Sequence, residues 1–297
     1  MANLKEVRIR IGSVNTTMQI TKAMKLVSAS KLRRAQERIT MMRPYSEKLN
    51  YILGNITAGL EGDVSMPLSK EREPKNVLVV LFTSDKGLCG GFNSNLFKTA
   101  NRLVSETYAA QRKAGNVTLM CIGKKGYDAM KKFTDLNFNT EHMGLFSTIS
   151  FDKSQEVSKE IAADFIAGKY DVVELVYAKF LNAASQDFMV ERFLPFAKNE
   201  KSTTTTAKTK ADYIFQPEKA VLLEELGPKI LNTQFFKAML DTNASEHGAR
   251  MVAMEAATNN ANELLRSLKI LYNRERQAAI TKEILEIVGG AAALEEK

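Results

Sequence analysis

The chain is poor both in residues that interrupt helices and in residues that do most enzymatic work. It has no tryptophan, two cysteines, two histidines and six prolines in 297 residues. With only 16 glycines besides, there is room for long helices. No stretch reaches the roughly 20 apolar residues that a membrane span requires, so no direct span is expected. Cys89 and Cys121 lie far apart without metal-type spacing and sit near apolar strands, which reads as small buried thiols. His142 and His247 stand alone, so neither a Ser/His/Asp set nor a metal site is visible and no cofactor is expected. Met1 to Glu6 enter a helical pattern at once, with neither a signal core nor an Arg/Ser-rich presequence. That start predicts a cytoplasmic or already mature protein.

What the chain has is a periodic pattern at each end. Leu4, Ile11, Met18, Lys25, Leu32 and Ile39 recur every seven residues, and Val7, Val14, Thr21, Ser28, Ala35 and Met42 follow three positions behind. This is the seam of a coiled coil. Pro44 is expected to end or kink that helix, although the segment to residue 60 still reads helical. Near the other end Ala257, Leu264, Leu271, Ala278 and Leu285 step by seven, with Met254, Ala261 and Leu268 beside them. Helices of roughly 60 and 75 Å follow from the rise of 1.5 Å per residue. Neither can bury its stripe alone, so an antiparallel two-helix coiled coil is predicted, with small seam residues permitting close approach. Thirteen methionines suit interfaces that must repack or slide.

Between the two arms the pattern changes. The runs 76–82, 117–122 and 171–177 are short and apolar, as buried parallel strands require, and 187–194 reads as an antiparallel edge strand. Helical stretches near 93–113, 124–132 and 153–168 separate them, giving an alternating, Rossmann-like α/β domain inserted between the halves of the coiled coil. The boundaries predicted are an N-terminal helix over 1–60, the α/β domain over 75–215, and a C-terminal region over 216–297. That last region holds a helix over about 217–240 and the main helix over about 241–290. The segment 201–210 is a Thr-rich polar loop.

The net charge of +8 lies wholly in residues 1–43, which carry ten basic side chains and two acidic ones. Clustered Lys and Arg can bind nucleic acid, but here they share a helix with an apolar seam and no aromatic precedes Tyr45. A solvated face, or one meeting acidic protein loops, is the better reading, so no nucleic acid is expected. Residues 83–93 follow a strand, precede a helix and carry glycines, as a phosphate-binding turn would. They fit neither G-x-G-x-x-G nor the Walker pattern, so tight strand-to-helix packing explains them better. A nucleotide-binding α/β enzyme with helical arms is the alternative. In the last helix a charged band at 273–277 precedes an apolar, small-residue tip, which is exposed at a cost unless something encloses it.

The pattern Ile280-Thr281, Glu283, Glu286, Gly290-Ala291 resembles the C-terminal signature of the gamma subunit of the F-type ATP synthase. Ile20 to Lys31 is similar to that family's N-terminal helix, Asp85 to Gly91 to its central loop, and Ala244 to Thr258 to the start of its C-terminal helix. The resemblance implies a non-catalytic rotor shaft that turns inside a ring of alpha and beta subunits and couples proton or sodium flow to ATP synthesis or hydrolysis. It implies a foot on the epsilon subunit and the membrane c-ring. Met24, Lys25 and Leu26 would face the acidic lever loops of beta, and Arg276, Gln277 and Thr281 its catch loop. Ile287, Val288, Ala291, Ala292, Ala293 and Leu294 would turn in an apolar collar. Tyr213, Phe215 and Gln216 would lie near epsilon and the rotor ring. Without a dithiol insert, thiol control is not expected, and without a presequence a bacterial source is favoured, peripheral on the cytoplasmic face of the inner membrane.

Overall fold

The computed structural model describes residues 4–58, 67–196 and 219–295. In chain order these form α1 (Leu4–Ala58), β1 (Val77–Phe82), α2 (Phe92–Arg102), α3 (Ala109–Lys113), β2 (Val117–Ile122) and α4 (Lys124–Met130). There follow β3 (Asn137–Asn139), α5 (Phe151–Ile166), β4 (Val172–Phe180), β5 (Gln186–Leu194) and α6 (Lys219–Glu295). By contact density the chain divides into two compact units, Met1–Ser28 with Arg250–Lys297, and Ala29–Ala249.

In the first unit the two helices run antiparallel. The hydroxyls of Thr21 and Thr258 lie 2.9 Å apart, and Lys25 Nζ meets Glu255 Oε1 at 2.6 Å, so the partner number falls as the α1 number rises. Val7, Thr21 and Ser28 of α1 are buried, as are Met254, Ala261, Leu265 and Leu268 of α6. The α1 seam matches expectation: every position of the two series over 4–42 is buried or half-buried. The α6 seam departs from it. Leu264 is 40% exposed and Leu265 9%, while Ala278 and Leu285 lie in solvent. Fully buried are Met254, Ala261 and Leu268, as their series predicts, together with Leu265, one residue beyond the Ala257 series, while Ala257, Thr258 and Leu271 are half-buried. Two adjacent leucines satisfy both registers, so periodicity alone does not choose between them.

The second unit holds a five-stranded sheet of order β3-β2-β1-β4-β5. All pairs are parallel except β4 with β5. Every residue of β1 is buried, and β4 exposes only Lys179, because helices cover both faces. One face packs Leu78, Val80 and Phe82 against Phe165 of α5 and Phe235 and Met239 of α6, with the Phe82 and Phe235 rings 5.2 Å apart. The other packs Val79, Leu81 and Cys121 against Phe92, Leu96 and Ala100 of α2.

Several elements differ from the sequence reading. The stretch read as one helix over 93–113 is broken by a π turn at Leu103–Thr107, which ends where Tyr108 donates to the buried Glu174 carboxylate at 2.8 Å. Arg192 donates to the same oxygen at 2.9 Å, so the carboxylate in the central strand is paired on two sides. The strand β3 was not foreseen, being three residues long and mostly polar. Pro44 and Pro228 both sit inside helices that continue past them. Around them Leu49 and Ile230 form a small core with Ile52, Leu222 and Leu226, and that burial outweighs the lost backbone bond at each proline. The helices predicted separately over 217–240 and 241–290 are therefore one element.

Candidate interaction surfaces

The glycine-bearing segment after β1 uses its polar groups within itself. Asn93 Nδ2 donates to Ser84 Oγ at 2.7 Å, Ser84 N to Asn93 Oδ1 at 3.2 Å, and Ser84 Oγ to the Lys86 carbonyl at 2.7 Å. Asp85 accepts from the Lys124 amide at 3.2 Å, joining the loop to α4. Gly90 takes a φ of 60°, and Leu88 shares that left-handed region with its side chain 62% exposed. Close packing is most acute at Gly123, where φ is +107° and a Cβ would lie 2.1 Å from the Thr83 carbonyl oxygen. The Thr83 hydroxyl also accepts from the Gly126 amide at 2.8 Å, serving the start of α4 in place of a local cap. These glycines hold strand and helix together.

The carboxyl end of the neighbouring strand β4 is where a doubly wound sheet exposes a binding crevice. Here α6 lies on it. Ala178 N donates to Thr242 Oγ1 at 3.4 Å and Ser245 Oγ donates to the Ala178 carbonyl at 3.2 Å, all buried. A Cβ on Gly248 would come within 3.1 Å of the Ala183 backbone, so the helix approaches by lacking a side chain there.

Both thiols are buried and free, and burial pushes the Cys121 thiol up to about 12, leaving it protonated at neutral pH. His142, isolated in sequence, has its Nε2 3.0 Å from Glu160 Oε2, and Glu141 completes a group whose ligand atoms lie within 4.8 Å of one another. That cluster was missed because Glu160 is 18 residues away on α5. Two of its members are exposed carboxylates.

The residues singled out on the two long helices fall into distinct settings. Met24 and Lys25 are half-buried in the first unit and Leu26 is 64% exposed. The Lys25 ammonium is held by Glu255, so of the three only Leu26 projects fully into solvent. Arg276, Gln277 and Thr281 are all exposed. From Ile280 to Ala291 every position is exposed, and no described residue of α1 pairs with this part of α6. At 100° per residue Ile280, Ile284, Ile287 and Ala291 fall on one stripe of that lone helix, with Val288 at its margin. Gln277 and Thr281 lie along the same side, while Lys282 and Glu286 pair at 3.6 Å on the other. Ile287 is 71% exposed and Val288 59%. The side chains of Ala292, Ala293 and Leu294 lie outside the described residues, as do Tyr213, Phe215, Gln216 and the 201–210 loop.

No helix among the described residues is long and apolar enough to cross a membrane. A family model described as ATP synthase matches residues 3–294. The ATP synthase gamma chain of Cytophaga hutchinsonii is 53% identical over 294 residues, covering 99% of each chain. That of Chloroherpeton thalassium is 44% identical over 303 residues, covering 100% of this chain and 99% of the relative. Among solved structures, a chain of the Tetrahymena thermophila mitochondrial ATP synthase central stalk and c-ring is similar with a TM-score of 0.56 at 25% identity, covering 80% of this chain and 99% of that one. One from the Euglena gracilis mitochondrial ATP synthase has a TM-score of 0.67 at 21% identity, covering 98% and 94%, and it bears on the fold alone. Matched from end to end by curated gamma chains and by the family model, this chain belongs to the ATP synthase gamma-chain family.

Proposed function

We propose that the chain is the non-catalytic central shaft of an F-type ATP synthase, turning inside a ring of alpha and beta subunits. The observation that supports this most is the lone end of α6: an exposed helix whose isoleucine stripe no described residue of its own chain covers. Such a surface is stable in water only when a partner encloses it. An apolar collar in the ring suits it. The stripe of Ile287, Val288 and Ala291 is apolar and poor in directional bonds, so rotation breaks few specific contacts.

Below that tip, Arg276, Gln277 and Thr281 offer fork, amide and hydroxyl groups to the catch loop of beta. Met24, Lys25 and Leu26 face its acidic lever. Lys25 already has Glu255, but a pair exposed to this extent contributes at most about 1 kcal/mol and is readily exchanged for an acidic loop. The remaining excess of positive charge on residues 1–43 attracts the lever at longer range.

Three identical catalytic sites around one shaft meet three different faces. Each face stabilises one conformation of its site by differential contact, and rotation exchanges the faces. The α/β unit is the foot, with Tyr213, Phe215 and Gln216 toward epsilon and the c-ring, and the whole lies peripherally on the cytoplasmic face of a bacterial membrane. Ion flow, of protons or sodium, enters as torque at the foot. In the assembled complex, Arg276→Ala with Gln277→Ala should lower coupled ATP synthesis and hydrolysis at least about threefold, a rise of about 0.6 kcal/mol or more in the rate-setting barrier. Unchanged rates would remove the catch role.

A further inference from the structure

We propose that a half-open cavity in the second unit is a binding site for a nucleoside phosphate, separate from the glycine-bearing loop. The cavity has a volume of about 350 Å³ and is walled by α1, β4 and α6. That volume falls in the range of small-ligand sites. Arg43, Lys179 and Lys237 bring three cations to it, and Asp241 is the one carboxylate in its lining. None of the three forms an ion pair with a described carboxylate, although Asp241 feels the charge of all three. Three like charges gathered around one concavity repel each other and focus a positive field into it, which a phosphate relieves. Arg43 offers the planar fork and the lysines point charges.

The floor differs from the rim. Leu240, Asp241, Ile39 and Ser46 are buried, while Arg43 and Lys179 are exposed and Lys237 half-buried. Asp241 is 3% exposed, and the nearby Phe180 backbone amide favours its charged form. A carboxylate there still offers lone pairs, which suit sugar hydroxyls or an exocyclic amine rather than a bare phosphate. The half-buried Met42, backed by Ile39 and Leu240, gives a flat ring an apolar surface to lie on. Phosphate at the rim, donors toward Asp241 and a ring on the floor together describe a nucleoside phosphate.

The test is calorimetric titration of the full chain with ADP at low ionic strength, with inorganic phosphate and the Lys86→Gln variant as controls. Saturable ADP binding with a Kd at or below about 1 mM is expected, weakened at least tenfold by Arg43→Gln with Lys237→Gln and unchanged by Lys86→Gln. Circular dichroism melting establishes that the double variant folds; should it not, Lys179→Gln at the exposed rim replaces it, with at least about threefold weakening expected. Absence of saturable binding by about 10 mM ADP overturns the site. So does affinity that is untouched by the rim variants, or that follows Lys86 in the loop. Inorganic phosphate binding as tightly as ADP overturns the nucleoside part of the assignment.

Discussion

Asp241 is where burial and charge compete most openly in the second unit. Burial raises its carboxyl above the usual range, and Lys237, Arg43, the Phe180 amide and Lys179 pull it back only in part. A carboxyl raised in the folded state contributes stability that is full below its unfolded value and is lost as pH rises through the folded value. At neutral pH the ionised group therefore costs the fold free energy. Asp241→Asn should raise the midpoint of thermal unfolding at pH 7, and the gain should shrink toward pH 4; an equal gain at both would contradict the assignment to ionisation. Gly123 sets a harder limit. Its φ of +107° and the Thr83 carbonyl 2.1 Å from any Cβ leave no side chain a place. Gly123→Ala should destabilise the α/β unit by more than about 2 kcal/mol, read by denaturant unfolding.

The helices and strands carry the contacts that fix register. If the buried face of α6 runs through Leu265 and not Leu264, Leu265→Ala should cost about 2–4 kcal/mol and Leu264→Ala under about 1. Equal costs would restore the register in which Leu264 faces α1. That ambiguity shows what was legible in the sequence. The α1 seam could be read because its seven-residue steps hold from Leu4 to Met42, even through the polar positions Thr21, Lys25 and Ser28, and β1 and β2 because they are short apolar runs between turns. The α6 register could not, since adjacent leucines satisfy two periods. Nor could continuity through Pro44 and Pro228, which local preference opposes and a distant core of Leu49 with Ile230 restores. The π turn before Tyr108 answers to a carboxylate 66 residues away, and the strand β3 to a neighbouring strand, so neither leaves a local signal. Of the candidate surfaces, the tip and the Arg276 band were visible as composition. The partner already held by Lys25 was not, because it comes from 230 residues on.

For the molecule as a whole, the two units divide the work that a shaft must do. The antiparallel helices and the lone tip present unlike faces: a cationic first helix, a polar band and an apolar stripe. The α/β unit offers a sheet buried on both faces, with α6 hydrogen-bonded to the end of β4 through Thr242 and Ser245. A unit built this way resists shear between helix and sheet, because those bonds are buried and each would be left unpaired if broken. The most direct test immobilises the alpha/beta ring, labels this chain through a cysteine introduced at the exposed Gly144 turn, and follows the label by single-molecule microscopy on adding ATP. The account predicts unidirectional rotation in three steps per turn, ceasing when ATP is removed. A label that stays fixed to the ring while ATP is hydrolysed at the normal rate would contradict it.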